Sequence, residues 1–168
     1  MKHLIVFILN ILKLFTRPSL PHPQEKVDYS QTTENIDVNS VVRKWLADWQ
    51  VPEQYHADWL MKPIKIDTGL PCPAWVYNGI LSVRPEWCNP GVIAHEHAHI
   101  SYSLLSEKEK VSFEKEYLPL VNTNPLIKLL YSRNQYGLSS LIEGHAEVYR
   151  YIGQQMPEFL KKYYPKLF

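Results

Sequence analysis

The sequence predicts an α+β domain in which helices outnumber strands, and three observations carry that expectation. Apolar residues recur at helical spacing over 39–49, 90–105 and 139–153. Between the first two of these stretches the pattern changes to the short β-rich runs "PIKID" and "PAWVYNGILSVRP". The second run carries Asn78-Gly79 at its centre, and this pair suits a two-residue hairpin turn because both positions take positive φ. The expected architecture is a small antiparallel sheet built on a β-hairpin, packed on two helices.

Length and composition set the bounds. The chain has 168 residues, 45% hydrophobic and 21% charged, which fits one globular domain with a short appendage. A formal charge of +1 with no basic stripe argues against nucleic acid as a partner. Cys72 and Cys88 are too few for a disulfide framework; they form one bridge in an exported protein or stand as two thiols.

The elements follow in order. Residues 1–17, "MKHLIVFILNILKLFTR", form an apolar and amphipathic segment, shorter than the roughly 20 residues a spanning helix needs. At helical spacing Lys2, His3, Asn10, Lys13 and Arg17 share one stripe, and apolar residues cover the rest. This is the pattern of an N-terminal amphipathic helix lying in a membrane interface. A terminal helix packed on the protein's own core, a signal anchor and a signal peptide are the other readings. The expected location is accordingly membrane-associated or exported, with a cytoplasmic protein as the alternative.

Residues 18–38 are rich in proline and polar side chains and read as a linker. The folded domain is expected over 39–168, opening with a helix capped by Asn39 and followed by a short helix over 53–61. Pro73 and Pro85 bound the hairpin, so at least one of its strands is an edge. Asn89-Pro90 starts the next helix, which runs to about Leu105, where Ser106 and Glu109 form a capping box.

Inside that helix lies "HEHAH", residues 95–99, which holds three of the chain's seven histidines. His95 and His99 stand one turn apart on one face, so both imidazoles reach a single ion, with Glu96 between them on the helix surface. This is the H-E-x-x-H arrangement of zinc metallopeptidases. His97 points about 200° away at 100° per residue and is a packing or surface histidine. Burying such groups in an apolar helix is costly unless something satisfies them together, and a cation does. Tyr102 and Leu105 stand where the longer metzincin motif places glycine and histidine, so that version is excluded.

A further ligand must come from elsewhere, and "SSLIEGHAEVYRYIG", 139–153, is the other chemistry-rich stretch. Glu143, Glu147 and Arg150 fall on one helix face. Glu143 is equally placed to be only a capping residue for Ser140, and the three together to be a solvated face.

The stretches "VIAHEHAH" and "LIEGHAE" resemble the active-site helix and glutamate helix of the gluzincins, the thermolysin-like zinc metallopeptidases, and "PAWVYNG" is similar to their edge strand. The resemblance spans roughly residues 73–153. It implies a zincin-like fold, a single-domain member of the group, with one Zn2+ per chain held by His95, His99 and Glu143. It further implies that Glu96 activates a zinc-bound water, that Glu147 orients a ligand histidine without itself touching the metal, and that a peptide or protein substrate lies along Ala74, Trp75, Val76 and Tyr77. An oxyanion donor from tyrosine or histidine is expected, with Tyr131, Tyr136, Tyr149 and Tyr151 as candidates. His145 is the rival to Glu143. Its face continues to Val148, Tyr149 and Ile152, which suits packing, whereas the Glu143 face continues to Glu147 and Arg150. A different class of function, a catalytically silent zinc-stabilised binding module tethered at a membrane, stands as the alternative.

Overall fold

The computed structural model describes residues 36–168. The segment 1–17 and the linker up to residue 35 lie outside the described residues. Among the described residues no helix is long and apolar enough to cross a membrane.

The chain is α+β and mostly helical. Its first helix, α1 (Val38–Asp48), begins earlier than expected: Asp37, not Asn39, is the cap, its carboxylate accepting from Ser40 N at 3.2 Å. The carboxylate is a good acceptor for a free first-turn N–H, and the helix, begun two residues earlier, buries Val42, Trp45 and Leu46. The expected linker boundary at residue 38 therefore falls inside the helix. A 3-10 turn (Glu53–Tyr55) leads into α2 (His56–Leu60), which buries Trp59.

Three short strands follow: β1 (Ile64–Ile66), β2 (Ala74–Tyr77) and β3 (Ile80–Val83), in the order β1-β3-β2. The hairpin is as expected, with Asn78 at φ 50° and Gly79 at φ 73°, and Tyr77 paired with Ile80. The sheet is mixed rather than antiparallel, because β1 runs parallel to β3. The reason lies in β3, whose Leu81 and Val83 are fully buried. That strand takes the centre, so β1 can pair only along its remaining side. Nothing in three residues of "IKI" specifies the direction of that pairing.

The inner face of the sheet sets Ile64, Ile66, Ala74 and Val83 against Trp87 and Val92, which anchors the hairpin to the start of α3 (Pro90–Ser103). Asn89 caps α3 by accepting from Val92 N at 3.0 Å, and Pro90 occupies the first turn, where its missing N–H costs nothing. Ser106 and Glu109 form the expected reciprocal capping box at the head of α4 (Glu107–Thr123). Asn124 then caps α5 (Pro125–Arg133), and a 3-10 turn (Tyr136–Leu138) leads to α6 (Leu141–Ile152). Gly153, at φ 49°, ends α6, and α7 (Glu158–Lys161) precedes a buried C-terminal stretch containing Tyr163, Tyr164 and Leu167.

The central packing is α3 against α6, and the turn Tyr136–Leu138 lies closely on α6. Gly144 permits that approach: a Cβ there would stand 2.5 Å from the Tyr117 hydroxyl and 2.9 Å from the backbone oxygen of Gly137. The backbone oxygen cannot swing away as a side chain would. Gly144→Ala should therefore destabilise the domain by about 1–3 kcal/mol through overpacking. Urea unfolding measures this, and an unchanged midpoint would show that α6 and the turn are not held in contact.

Candidate metal centre

Two helices build the site from the residue upward. Helix α3 is buried nearly all round, which forces its polar side chains to find partners within the protein. Helix α6 supplies them from the face carrying Glu143, Glu147 and Arg150.

The side-chain atoms of His95, His99 and Glu143 converge. His95 Nε2 lies 3.0 Å from His99 Nε2 and 3.2 Å from Glu143 Oε2, and His99 Nε2 lies 3.5 Å from the same oxygen. Together they form a group that can hold a metal ion. Glu147 Oε1 stands 2.8 Å from His95 Nδ1. That close approach of the carboxylate favours the proton on Nδ1, which leaves a lone pair on Nε2 facing the other two atoms. One proton bridges only one pair among three such atoms, whereas a cation satisfies all three at once. The spacing suits a small ion, since tetrahedral bonds of about 2.0–2.1 Å set ligand atoms about 3.3 Å apart.

Charge supports the fit. Glu96, Glu143 and Glu147 share the site with Arg150, whose Nη1 lies 3.6 Å from Glu147 Oε1. With both imidazoles neutral, three carboxylates against one guanidinium leave two negative charges, which a divalent ion cancels. The electrostatics of the protein alone point the same way. Burial opposes charge on His95, yet the carboxylates of Glu143 and Glu147 outweigh it and push its pKa up to about 9. Burial likewise works against ionised Glu143, but His95 and His99 hold its carboxyl far below the usual range. Glu96 is pushed upward, chiefly by burial, against the pull of the two histidines.

The candidate capping role of Glu143 resolves into two separate ones. Ser140 Oγ accepts from Glu143 N at 3.3 Å, so the backbone is capped while the carboxylate is directed at the histidines. Ser106 and Glu109 show the other outcome, in which the carboxylate returns to the cap N–H at 2.7 Å. The two other histidines of these helices pack. His97 bonds the Ile93 carbonyl through Nδ1 at 2.8 Å and lies 4.4 Å from the Trp45 ring, centroid to centroid. His145 bonds the Tyr163 carbonyl at 2.7 Å and stacks on Tyr164 at 3.8 Å, so it does not join the converging group.

Among the four candidate tyrosines the geometry discriminates. The Tyr131 hydroxyl is engaged by Tyr117, Tyr149 is fully buried beside Tyr164, and Tyr151 lies under the Arg150 guanidinium. Tyr136 alone of the four has its ring near a site histidine, 6.1 Å from that of His95. Partial burial and then the neighbouring Glu143 carboxylate push its pKa up to about 12, so the hydroxyl keeps its proton. Ala74, Trp75, Val76 and Tyr77 form β2, an edge strand in contact with α3; Trp75 is 51% and Tyr77 65% exposed. Sequence reasoning missed Asn134, which donates from Nδ2 to Glu147 Oε2 at 2.5 Å. Its position just beyond α5 resembles any helix-ending asparagine, so no local signal marks it.

The packed histidines generate a test. Burial pushes the pKa of His97 down to about 4 and that of His145 down to about 3, from an ordinary 6.5. Both are neutral in the fold, and below pH 6.5 the unfolded chain takes up their protons first. Stability should therefore fall as pH drops from about 6.5 towards 4, with a contribution of up to about 1.4 kcal/mol per pH unit from each histidine. His145→Phe should remove one such contribution from the slope of unfolding free energy against pH. An identical slope in the variant would show that His145 is not buried neutral.

Comparison with known proteins gives this chain no counterpart: no protein-family model, no curated protein and no solved structure matches it.

Proposed function

We propose that this protein is a zinc metallopeptidase of the gluzincin kind, with a zincin-like fold, hydrolysing peptide bonds in a peptide or protein substrate. The observation that carries the reading is the convergence of His95 Nε2, His99 Nε2 and Glu143 Oε2 with Glu96 buried on the same helix. A purely structural site needs no acid beside its ligands, and it usually closes its fourth position with cysteine or histidine. Neither free cysteine belongs to the group, and Cys88 is held as a thiol by burial, which raises its pKa to about 11.

When bound there, zinc supplies a Lewis acid that polarises the scissile carbonyl and lowers the pKa of water. The remaining work falls to side chains of this chain. Glu96 takes a proton from the attacking water and returns it to the leaving amine, and its upward-shifted pKa suits both directions of transfer. Glu147 keeps His95 in one tautomer and one ring orientation. Tyr136, which retains its proton, donates to the oxygen that becomes negative as the carbonyl is attacked. The substrate backbone pairs with the open side of β2, and Trp75 and Tyr77 provide apolar surface beside it. The segment 1–17 would place this activity at a membrane interface or direct its export.

Two substitutions test the reading together. Glu96→Gln should keep one zinc per chain by mass spectrometry and lose hydrolysis of a peptide library by on the order of 10³-fold. Glu143→Ala should lose the zinc itself, because it removes the single carboxylate ligand. Undiminished cleavage by the first variant, or full zinc content in the second, would overturn the assignment.

A further inference from the structure

Asn134 ends α5, its own N–H bonded to the Leu130 carbonyl at 2.9 Å. Beyond that backbone role, both ends of its side-chain amide are committed, in opposite directions. Nδ2 donates to Glu147 Oε2 at 2.5 Å, and the other oxygen of that carboxylate lies 2.8 Å from His95 Nδ1. Oδ1 accepts from Tyr136 N at 3.0 Å, at the start of the turn Tyr136–Leu138. The chemistry fixes which way the amide faces, because a carboxylate demands a donor and a backbone N–H demands an acceptor. An asparagine meets both demands; a carboxylate or an aliphatic side chain of similar size does not.

The two partners belong to different parts of the site. Glu147 acts on His95, and Tyr136 stands beside Glu143 and the His95 ring. We propose that Asn134 is a positioning residue that sets both with one side chain: it holds Glu147 against His95, and it anchors the turn carrying Tyr136 over the same histidine. The inference rests on the zinc reading above, but it concerns how the protein's own atoms are held. Arg150 approaches Glu147 at 3.6 Å, through the oxygen that already faces His95. Asn134 holds the opposite oxygen, so it bears on the rotation of the carboxylate from the side away from His95. Groups that orient metal-bound histidines contribute about 10–100-fold to metal affinity.

The opposed demands make the two roles separable. Asn134→Asp keeps an acceptor for Tyr136 N but turns the other contact into two facing carboxylates, so zinc affinity should fall about tenfold or more. Adding Glu147→Gln to it exchanges amide and carboxylate. The introduced glutamine can then accept from His95 Nδ1–H and donate to the introduced aspartate, and most of the lost affinity should return. Asn134→Ala removes both contacts, and should also raise amide exchange at Tyr136, which Asn134→Asp should leave protected.

Zinc affinity by chelator competition and site-resolved amide exchange read these outcomes without relying on turnover. The proposal fails if Asn134→Asp, folded with the parent's unfolding midpoint, binds zinc as tightly as the parent. It also fails if the exchanged pair recovers nothing, or if Tyr136 is equally protected in all variants. A parent that binds zinc tightly but hydrolyses nothing would overturn the peptidase reading alone and leave this one standing. A parent that binds no zinc would overturn both.

Discussion

The seam between α3 and α6 carries ionisable groups where most helix pairs carry leucine and valine, and the domain is organised by the need to satisfy them. His95, Glu96, Glu147 and Arg150 are all buried, and Glu143 is largely so. Charges taken out of water are tolerated only when they meet opposite charges and hydrogen bonds at close range. Each side chain therefore has little freedom, and the backbone around it must hold still. The caps at Asn89 and Ser140 fix where the two helices begin, and hence which turn of one faces which turn of the other. Gly144 then lets α6 approach the preceding turn without a Cβ in the way.

The polar seam is insulated by aromatic packing on the far sides of both helices. His97 sits between Trp45 and Trp59, and His145 lies among Tyr102, Phe113 and Tyr164. These two histidines act as flat, partly polar core residues, each spending one ring nitrogen on a backbone carbonyl. Their presence explains why the chain carries more histidine in these helices than the converging site uses. Polar groups face inward on one side of each helix and aromatic groups on the other, so neither helix can rotate without burying an unpaired charge.

Much of this was legible in the sequence because it depends on local rules. The hairpin followed from Asn78-Gly79, the start of α3 from Asn89-Pro90, and the separation of His95 and His99 from His97 from helical spacing alone. The division of α6 into a face bearing Glu143 and a face bearing His145 was legible for the same reason. What depended on long-range geometry was not. The parallel pairing of β1 follows from which strand takes the centre of the sheet, which "IKI" does not encode. The choice of Asp37 over Asn39 as cap was not legible either, since both are good cap residues standing two apart. Asn134 and Tyr136 gain their importance only because α5 delivers them beside α6, and Tyr136 could not be told from three other tyrosines until that placement was known.

The strand order leaves the sheet with two outer edges of unequal character. On one side, β1 is three residues long, with Lys65 at its centre in an ion pair with Asp67. A short edge bearing a lysine discourages a further strand, since an added chain would have to strip water from the ammonium group. On the other side, β2 carries Trp75 and Tyr77 and no charge at all. Among the described residues, then, one border of the sheet bears a charge and the other bears none. An extended chain added along β2 would meet no charge there and would lie on the border in contact with α3.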